Sequence, residues 1–511
     1  MNDGPDRAGS ATGVLAATCI STLVVNANTS AVSILLPAIS ADTGTSVTTL
    51  QWAVTGYSLV GAAVIITSGS LGDVFGRRRV FQVGLLLFVA SCVMIAMAGS
   101  GAMVIAGRVV QGAAGATILA CGLSLLSVGT SEDAQLRAVS LWGAAAAVGA
   151  AAGPLLGGVL VDLTGWQGLF WLDAGVAVVC IVLTAMTVAE SRDADRPRSI
   201  DYAGTVLVAL TLMSLILGVS KSGDWGWFAP ATLACFAVTV VAGYAFVVVE
   251  GRIRVPLVDL GLLRNRMLVG STIAILIGAG TINALMYLIS LYFQDPATLD
   301  FSPLQAGLAT LPATVGLVVV APLVPRLVRR IGGRQTIGIG FVLTTAGFVV
   351  VGFTEGSWQY SAFLLPLIAV AVGMGLSNGP ASAAATASVS GDQVGEASGV
   401  SNMARYVGAA VATALAATIY ATVVGNRGDA GEPAASALAA GLSAAAWLMA
   451  AFSLIGVVMA LVVIVRFRAR EAASGLEEAT AAAAAVVHTV PPLILPAADP
   501  HPPDGPVHRA H

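Results

Sequence analysis

The stretch GSLGDVFGRRRVF, from Gly69 to Phe81, is a short polar segment between two long apolar ones. Its three glycines, Gly69, Gly72 and Gly76, allow a tight turn and a close approach of helices. Asp73 places a negative charge at the start of the turn, and three consecutive arginines follow it. The stretch therefore predicts a tight loop between two membrane helices, with the basic residues on the cytoplasmic side.

The composition agrees with a membrane protein. Of the 511 residues, 57% are hydrophobic and only 10% are charged, and the mean hydropathy is +0.89. A soluble domain carries about 25% charged residues. The net charge of −3 does not favour a nucleic-acid partner. All four histidines follow the last apolar segment and no phosphate-binding loop motif occurs, so we expect no enzyme, no metal site and no cofactor other than a proton.

Apolar segments long enough to cross a bilayer recur along the whole chain. A span needs about 20 mainly apolar residues, and in lipid each must be a helix. Fourteen segments qualify: 14–36, 50–71, 80–98, 102–126, 138–161, 168–189, 203–220, 229–250, 267–293, 304–325, 335–353, 360–382, 402–424 and 442–465.

The distribution of basic residues predicts the orientation of these spans. With the N-terminus inside, twenty of the 24 lysines and arginines fall in cytoplasmic segments, whereas only Lys221 and Arg427 fall outside. Such an excess predicts that both termini are cytoplasmic. The predicted organisation is a cytoplasmic N-terminal tail, a six-helix half, a linker with two extra helices, a second six-helix half and a disordered cytoplasmic tail, at 1–13, 14–189, 190–266, 267–465 and 466–511.

Two further segments carry polar or small residues inside predicted spans. The segment AGRVVQGAAGATILA places Arg108 in the fourth span, with Gln111 one turn further on. A charged residue in a membrane span is costly, so Arg108 is a functional candidate, although a packing hydrogen bond is the alternative. The segment GAAAAVGAAAGPLLGG ends the fifth span with Gly-Pro and Gly-Gly pairs. Small residues at this spacing let helices pack closely, and packing alone is one explanation.

In spacing and order, these motifs resemble the major facilitator superfamily. The resemblance implies an all-α polytopic fold of two six-helix halves around a site near the midplane. It also implies a conformational latch in which Asp73 faces the start of the thirteenth span, a proton relay involving Arg108, and an antiporter motif in the fifth span. The latch residues are Gly69, Gly72, Asp73, Gly76, Arg77 and Arg78, and the antiporter motif is Gly149, Gly153, Pro154, Gly157 and Gly158.

The two extra spans, with segments such as DYAGTVLVAL and GEASGVSNMARYVGAAV, narrow the resemblance to the 14-span drug:proton antiporters. This resemblance covers residues 14–465. A weak internal repeat supports the two halves, because PRLVRRIGGR, from Pro325 to Arg334, aligns with Gly69–Arg78 at an offset of 256 residues. In this repeat Arg329 stands in the place of Asp73, so the latch chemistry is not duplicated.

The chain departs from this pattern at two positions. The first span has Asn28 where the branch usually has an aspartate, and asparagine cannot carry a proton. The sixth span has Asp173 where the family usually has an asparagine followed shortly by a proline. Asp173 either titrates in place of the missing acid or lies near the outer surface, solvated; its position near the start of the span favours the second reading. We expect coupling to depend on Arg108 with Asp73 or Asp173.

The resemblance implies export of small amphiphilic molecules from the cytoplasm, in exchange for protons, by a monomer in the cell membrane. The loss of the first-span acid favours neutral or weakly charged substrates. Alternatives are an importer or exporter of an endogenous metabolite or lipid-like compound, and a non-transporting protein on the same fold. Polar candidates for the substrate cavity, each of which is as well explained by helix packing, are Asn28, Gln111, Asn283, Tyr287, Asn378, Asn402 and Arg405.

Overall fold

The computed structural model describes residues 11–126, 132–191, 201–253, 256–320, 323–389 and 393–460. The predicted tail at 466–511 and nearly all of the predicted N-terminal tail lie outside these ranges. The described residues are helical apart from short connections. In lipid this is expected, because a helix satisfies its own backbone N–H and C=O groups where no water is available.

Six helices form the N-terminal half. Their bounds are α1 Ala11–Thr43, α2 Val47–Phe75, α3 Arg77–Ala96, α4 Gly101–Leu126, α5 Glu132–Thr164 and α6 Gln167–Thr187. The two extra helices follow as α7 Tyr202–Trp225 and α8 Pro230–Glu250. The C-terminal half contains α9 Arg266–Gln294, α10 Pro303–Ala309, α11 Leu311–Val320, α12 Val324–Ile331, α13 Gly333–Val351, α14 Tyr360–Ala387, α15 Val394–Asp429 and α16 Ala434–Ala460.

Twelve helices of the described part are long and apolar enough to cross a membrane. The two remaining predicted spans correspond to α5, in which the apolar portion Ala152–Thr164 is shorter, and to the pair α10 and α11. In the predicted span at 304–325 the helix is interrupted at Thr310, so that α10 and α11 follow each other. Pro312 follows this break and has no N–H to continue the helical ladder. The count of fourteen spans stays a prediction.

The internal repeat is visible in the backbone. Helix α2 ends at Phe75 and α12 ends at Ile331, and in both cases a new helix begins after one intervening glycine. These glycines, Gly76 and Gly332, have φ angles of +110° and +90°. Residues with a side chain rarely adopt a positive φ, so glycine is required at both turns. The offset of 256 residues therefore relates equivalent structural elements.

Among the described residues, the two halves meet at several helix pairs, of which α1 with α9, α5 with α10, and α2 with α15 have the most contacts. Near the predicted outer side, Ser290 of α9 donates a hydrogen bond to the carbonyl of Ser33 in α1. On the same side, Gly158 of α5 lies so close to α10 that a methyl group there would be 2.6 Å from the carbonyl oxygen of Pro303. Toward the predicted cytoplasmic side, α2 packs against α15, where Gly61 faces the ring of Tyr406.

The extra helices α7 and α8 lie beside the contact between α2 and α15. A cluster of buried residues joins Leu59 of α2, Ile216 and Val219 of α7, and Ala410 and Ala414 of α15. Helix α7 thus packs against both halves at their contact, whereas α8 packs mainly against α7.

Candidate functional site

A buried polar cluster lies inside the N-terminal half. It is formed by Asn28 of α1, Arg108 and Gln111 of α4, and Asp173 of α6. The first three side chains have no exposed surface and Asp173 is 4% exposed. Arg108 and Gln111 are three residues apart, which places them on the same face of α4. Buried polar groups in a membrane protein need partners, and each of these side chains contacts another member of the cluster.

Asn28 bridges the two charged residues of the cluster. The NH1 group of Arg108 donates to Oδ1 of Asn28 at 2.5 Å, and Nδ2 of Asn28 donates to Oδ2 of Asp173 at 2.7 Å. The amide thus presents its oxygen to the cation and its N–H to the carboxylate. The expectation that Asp173 lies solvated near the outer surface is wrong. It lies on the buried face of α6 with Phe170 and Ala177, facing α1 and α4.

The remaining hydrogen bonds hold Arg108 in one orientation. Its NH1 group also donates to Oε1 of Gln111 at 2.5 Å, and its Nε donates to the carbonyl of Ala53 in α2 at 3.0 Å. Gln111 in turn donates from Nε2 to Sγ of Cys92 in α3 at 3.0 Å. The NH2 group of Arg108 is buried and has no acceptor among the described residues. A charge held in this way is fixed in place, with one donor still unused.

An aromatic pair connects this cluster to the C-terminal half. The guanidinium of Arg108 lies 4.2 Å from the ring centroid of Tyr57 in α2, within the range of a cation–π interaction. The ring of Tyr57 is 6.2 Å from that of Tyr406 in α15. The sequence analysis missed both tyrosines, since an aromatic residue in an apolar span carries no signal of its partner. The one signal in the sequence that could have identified them is a hydroxyl group inside a predicted span.

The other predicted cavity residues lie in the C-terminal half. Asn378 of α14 is 9% exposed, and neither its amide nitrogen nor its oxygen has a hydrogen-bond partner among the residues that the structure describes. Asn283 and Asn402 are half-buried and donate to carbonyls of their own helices, those of Ala279 and Ser398.

Two further members of that set differ sharply in exposure. Arg405 of α15 has an exposed side chain and donates to the hydroxyl of Ser382 in α14 at 3.3 Å. Tyr287 is buried in the largest hydrophobic core cluster. Arg405 thus presents a donor that a substrate can reach, whereas the polar atoms of Asn378 and the side chain of Tyr287 are buried in this structure.

The glycines of the fifth span lie at helix contacts. A methyl group at Gly149 would be 2.2 Å from the carbonyl oxygen of Leu23, and one at Gly153 would be 2.3 Å from that of Ala27. Helix α5 therefore touches the backbone of α1 along this stripe. Gly157 also faces α1, whereas Gly158 faces α10 in the other half. Close packing explains the stripe, and the antiporter role stays a prediction.

The two arginines of the predicted latch, and Arg79 beside them, contact the end of their own half. The backbone N–H of Arg77 donates to the carbonyl of Ser191 at 2.8 Å, and that of Arg78 donates to Glu190 at 3.2 Å. The guanidinium of Arg79 forms an ion pair with Glu190 at 3.5 Å. Glu190 was not among the predicted site residues, although it is the first acidic residue after α6.

The contact predicted for Asp73 lies outside the described side chains and stays a prediction. The helix that it is expected to face is close by. A methyl group at Gly399, in the first turns of α15, would be 3.5 Å from Cγ1 of Ile66 in α2. Gly72, one residue before Asp73, packs against Cys121 of α4.

An apolar groove of about 560 Å³ lies between α2, α7 and α8. It is lined by residues such as Trp52, Leu59, Met213 and Val238, and includes no member of the polar cluster. Its one hydroxyl, on Ser214, is already bonded to Thr239 at 2.9 Å. The groove therefore has no free polar group to orient a substrate, and the polar cluster remains the candidate functional site.

Comparison with known proteins is consistent with this architecture. The chain is 29% identical over 81% of its length to a tetracenomycin C resistance and export protein of Streptomyces glaucescens, covering 76% of that protein. It is 30% identical to the multidrug efflux pump LfrA of Mycolicibacterium smegmatis, with 81% of each chain covered. It is 31% identical to the cephamycin export protein CmcT of Amycolatopsis lactamdurans, covering 84% of this chain and 88% of that one.

Solved structures share the fold at low sequence identity. The crystal structure of the human organic anion transporter MFSD10 matches with a TM-score of 0.59 and 15% identity, covering 88% of this chain and 99% of that one. A peptide transporter, POT, in complex with sulfate matches with a TM-score of 0.64 and 14% identity, covering 87% and 94%. The family model described as Major Facilitator Superfamily matches residues 18–413. The chain therefore belongs to the major facilitator superfamily of membrane transporters.

Proposed function

We propose that this protein exports small amphiphilic organic molecules across the cytoplasmic membrane in exchange for protons, by alternating access of its two halves. The observation that carries this proposal is the buried Arg108–Asn28–Asp173 cluster, which sets a titratable acid against a fixed cation inside the N-terminal half. The relatives named as export and efflux proteins support the outward direction. The family supports transport and not catalysis.

Asp173 is the proton carrier in this proposal. It is the only acid in the cluster, because Asn28 takes the place of the first-span aspartate. When Asp173 is ionised, it accepts the N–H of Asn28 and so keeps the amide oxygen directed at Arg108. Protonation removes the negative charge opposite Arg108, which weakens this arrangement. Arg108 is then less firmly held, and its contact with Tyr57 carries the change to Tyr406 and the other half.

Neutral or weakly charged compounds are the substrate class that fits best. A permanently cationic substrate needs a free carboxylate in a low-dielectric cavity, and Asp173 is occupied by Asn28. The exposed Arg405 supplies a donor to a carbonyl or hydroxyl oxygen, and the buried amide of Asn378, which has no partner among the described residues, would supply a second polar group when the cavity opens. Apolar walls with a few oriented polar groups are typical of sites for such ligands.

The arginine distribution supports cytoplasmic termini for this transporter. We further expect it to act as a monomer, with the proton as its only coupling partner and no nucleic-acid partner.

Growth of an efflux-deficient bacterium expressing the protein tests this proposal. The panel contains tetracenomycin C, a cephamycin, puromycin and lincomycin, compounds in the names of the relatives. Wild type is compared with Asp173→Asn and, as a control, with Asp162→Asn, which makes the same chemical change at an exposed position of α5. We expect resistance to at least one compound in wild type and the control, and its loss in Asp173→Asn.

Everted vesicles then separate export from import. For a compound that scores in the panel, an exporter accumulates it inside everted vesicles and dissipates an imposed proton gradient. Accumulation in whole cells instead would establish the importer alternative. Export that persists undiminished in Asp173→Asn would refute the assignment of the proton to this residue.

A further inference from the structure

A buried pair of acids lies at one end of the two extra helices. Asp201 caps the N-terminus of α7, where its Oδ1 accepts the backbone N–H of Gly204 at 2.7 Å. Glu250 is the last residue of α8, and its Oε2 accepts the backbone N–H of Val258 at 3.3 Å. Neither residue belongs to the Arg108 cluster. Each carboxyl group therefore uses one oxygen for a structural hydrogen bond.

The other oxygen of each carboxyl group has no donor. Oδ2 of Asp201 and Oε1 of Glu250 are buried and lack a hydrogen-bond partner within the part of the chain that the structure describes. Both converge on the same point, since a methyl group at Gly204 would be 2.2 Å from the first and 2.3 Å from the second. The two oxygens are therefore no more than 4.5 Å apart, the sum of 2.2 and 2.3 Å. Both side chains are more than nine-tenths buried, with 9% of Asp201 and 3% of Glu250 exposed.

No cation compensates this pair among the described residues. Neither carboxyl group forms an ion pair there, and Arg252, two residues after the end of α8, is exposed. The neighbouring helices also carry basic residues, but Lys221 lies near the opposite end of α7, and Arg405 of α15 donates to Ser382. Arg427, near the far end of α15, forms an ion pair with Glu432.

Two further acids lie closer to the pair. Glu396 of α15 accepts the backbone N–H of Asp259 at 2.7 Å, and Asp259 caps its own turn. Two ionised carboxylates at this position would repel each other with little screening by water.

We propose that Asp201 and Glu250 share one proton and form a second proton-binding site, separate from Asp173. A proton between Oδ2 and Oε1 gives each of the two unpartnered oxygens a hydrogen bond and removes one of the two negative charges. Adjacent carboxyl groups in other proteins share a proton for the same reason. The glycine at 204 leaves the space in which the two oxygens meet.

The shared proton stabilises a contact beside the cytoplasmic ends of the two halves. Glu250 holds the backbone of Val258, and Leu257 and Val258 pack in a cluster with Val400 of α15, against Ile66 of α2. Removing the proton leaves two adjacent carboxylates, which separate and weaken this cluster. The pair therefore links the protonation of the extra helices to the contact between α2 and α15.

Infrared spectroscopy of the purified full-length protein in lipid nanodiscs tests the shared proton. An Asp173→Asn background removes the first proton site, so the result does not depend on the proposed function. At neutral pH we expect the C=O band of a protonated carboxyl group in this background. The band is lost on adding either Asp201→Asn or Glu250→Gln, because each amide donates to the remaining carboxylate. It is unchanged by the control Glu355→Gln, which alters an exposed acid.

Thermal unfolding gives a second measurement on the same proteins. The melting temperature of the background is expected to fall from neutral to alkaline pH more steeply than that of either amide variant. A background spectrum without a protonated carboxyl band at neutral pH would overturn the proposal without any variant at 201 or 250. A band lost in only one of the two variants would also overturn it, because the proton would then belong to a single residue.

Discussion

Exchanging the two side chains that meet beside Arg108 tests the geometry of the candidate site. In wild type, Arg108 donates to Oδ1 of Asn28, and Nδ2 of Asn28 donates to Oδ2 of Asp173. The double variant Asn28→Asp with Asp173→Asn keeps one acid and one amide. Arg108 then donates to the new carboxylate at 28, and the new amide at 173 donates to the same carboxylate. All the hydrogen-bonding roles are retained, and the negative charge moves one side chain closer to Arg108.

The single variants are expected to behave differently from the exchange. Asp173→Asn leaves the guanidinium of Arg108 fully buried with only neutral acceptors among the described residues. Removing one member of a buried ion pair costs about 3–5 kcal/mol. Because Asn28 separates the two charges, we expect a loss near 3 kcal/mol in the free energy of unfolding. The exchange should remain within about 1 kcal/mol of wild type, the typical net contribution of one hydrogen bond.

Unfolding of the purified proteins and resistance in the growth panel are measured together, with Asp162→Asn as control. We expect Asp173→Asn to lose both stability and resistance, and the exchange to recover both. Asn28→Asp alone places two carboxyl groups in contact, which must share a proton, and should retain stability but alter proton exchange in everted vesicles. Two results would refute the reasoning: an exchange variant as defective as Asp173→Asn, or an Asp173→Asn protein as stable as wild type.

Three further predictions follow from individual contacts. Gly153→Ala should reduce the amount of folded protein in the membrane, because its methyl group would be 2.3 Å from a carbonyl oxygen of α1. The control Gly175→Ala, whose methyl group would have nothing within 4 Å, should not, and fluorescence-detected size-exclusion chromatography compares the two variants. Asn378→Leu should leave the melting temperature unchanged or higher, since its amide has no partner among the described residues, yet it should change which compounds of the panel are exported. An unchanged set of exported compounds would show that Asn378 is not part of the substrate site. Glu190→Gln should lower stability by less than about 1 kcal/mol, since its ion pair with Arg79 is exposed to solvent; a larger loss in thermal unfolding would mean that this turn is held more firmly than its contacts indicate.

Local patterns in the sequence were sufficient for several features. The turn at Gly76 and its repeat at Gly332 follow from glycines beside basic residues, and both have the positive φ that only glycine adopts readily. The long apolar segments predicted the helices because lipid leaves the backbone no alternative. The break at Thr310 was missed, although Pro312 was visible. The residues on both sides of Pro312 are apolar, and a hydropathy pattern does not show that the proline lacks a backbone N–H.

Partners across helices could not be read in the same way. In a soluble helix, alternating polar and apolar faces show which side is buried, but here the lipid-facing and buried faces of α6 are both apolar. The position of Asp173 five residues into its span therefore favoured a solvated side chain. Burial followed from the rotation of α6, which turns Asp173 toward α1 while Trp171 and Leu172 remain exposed. Because hydropathy does not show which face of a membrane helix is buried, the contacts of Tyr57 and Tyr406, and those of Asp201 and Glu250, could not be predicted either.

The membrane fold, the two halves and the tight loop around Gly76 were thus determined by the sequence alone, because they depend on hydropathy, charge and glycine along the chain. The polar cluster was decided by the tertiary structure. Asn28 is 80 residues from Arg108 and 145 residues from Asp173 along the chain, and only the packing of three helices brings its side chain within 2.5 and 2.7 Å of theirs. That packing depends on small residues and steric fit, which a single sequence does not reveal. In the sequence, Asn28 is only the position where an acid is missing; in the folded protein, its amide bridges the two charged side chains.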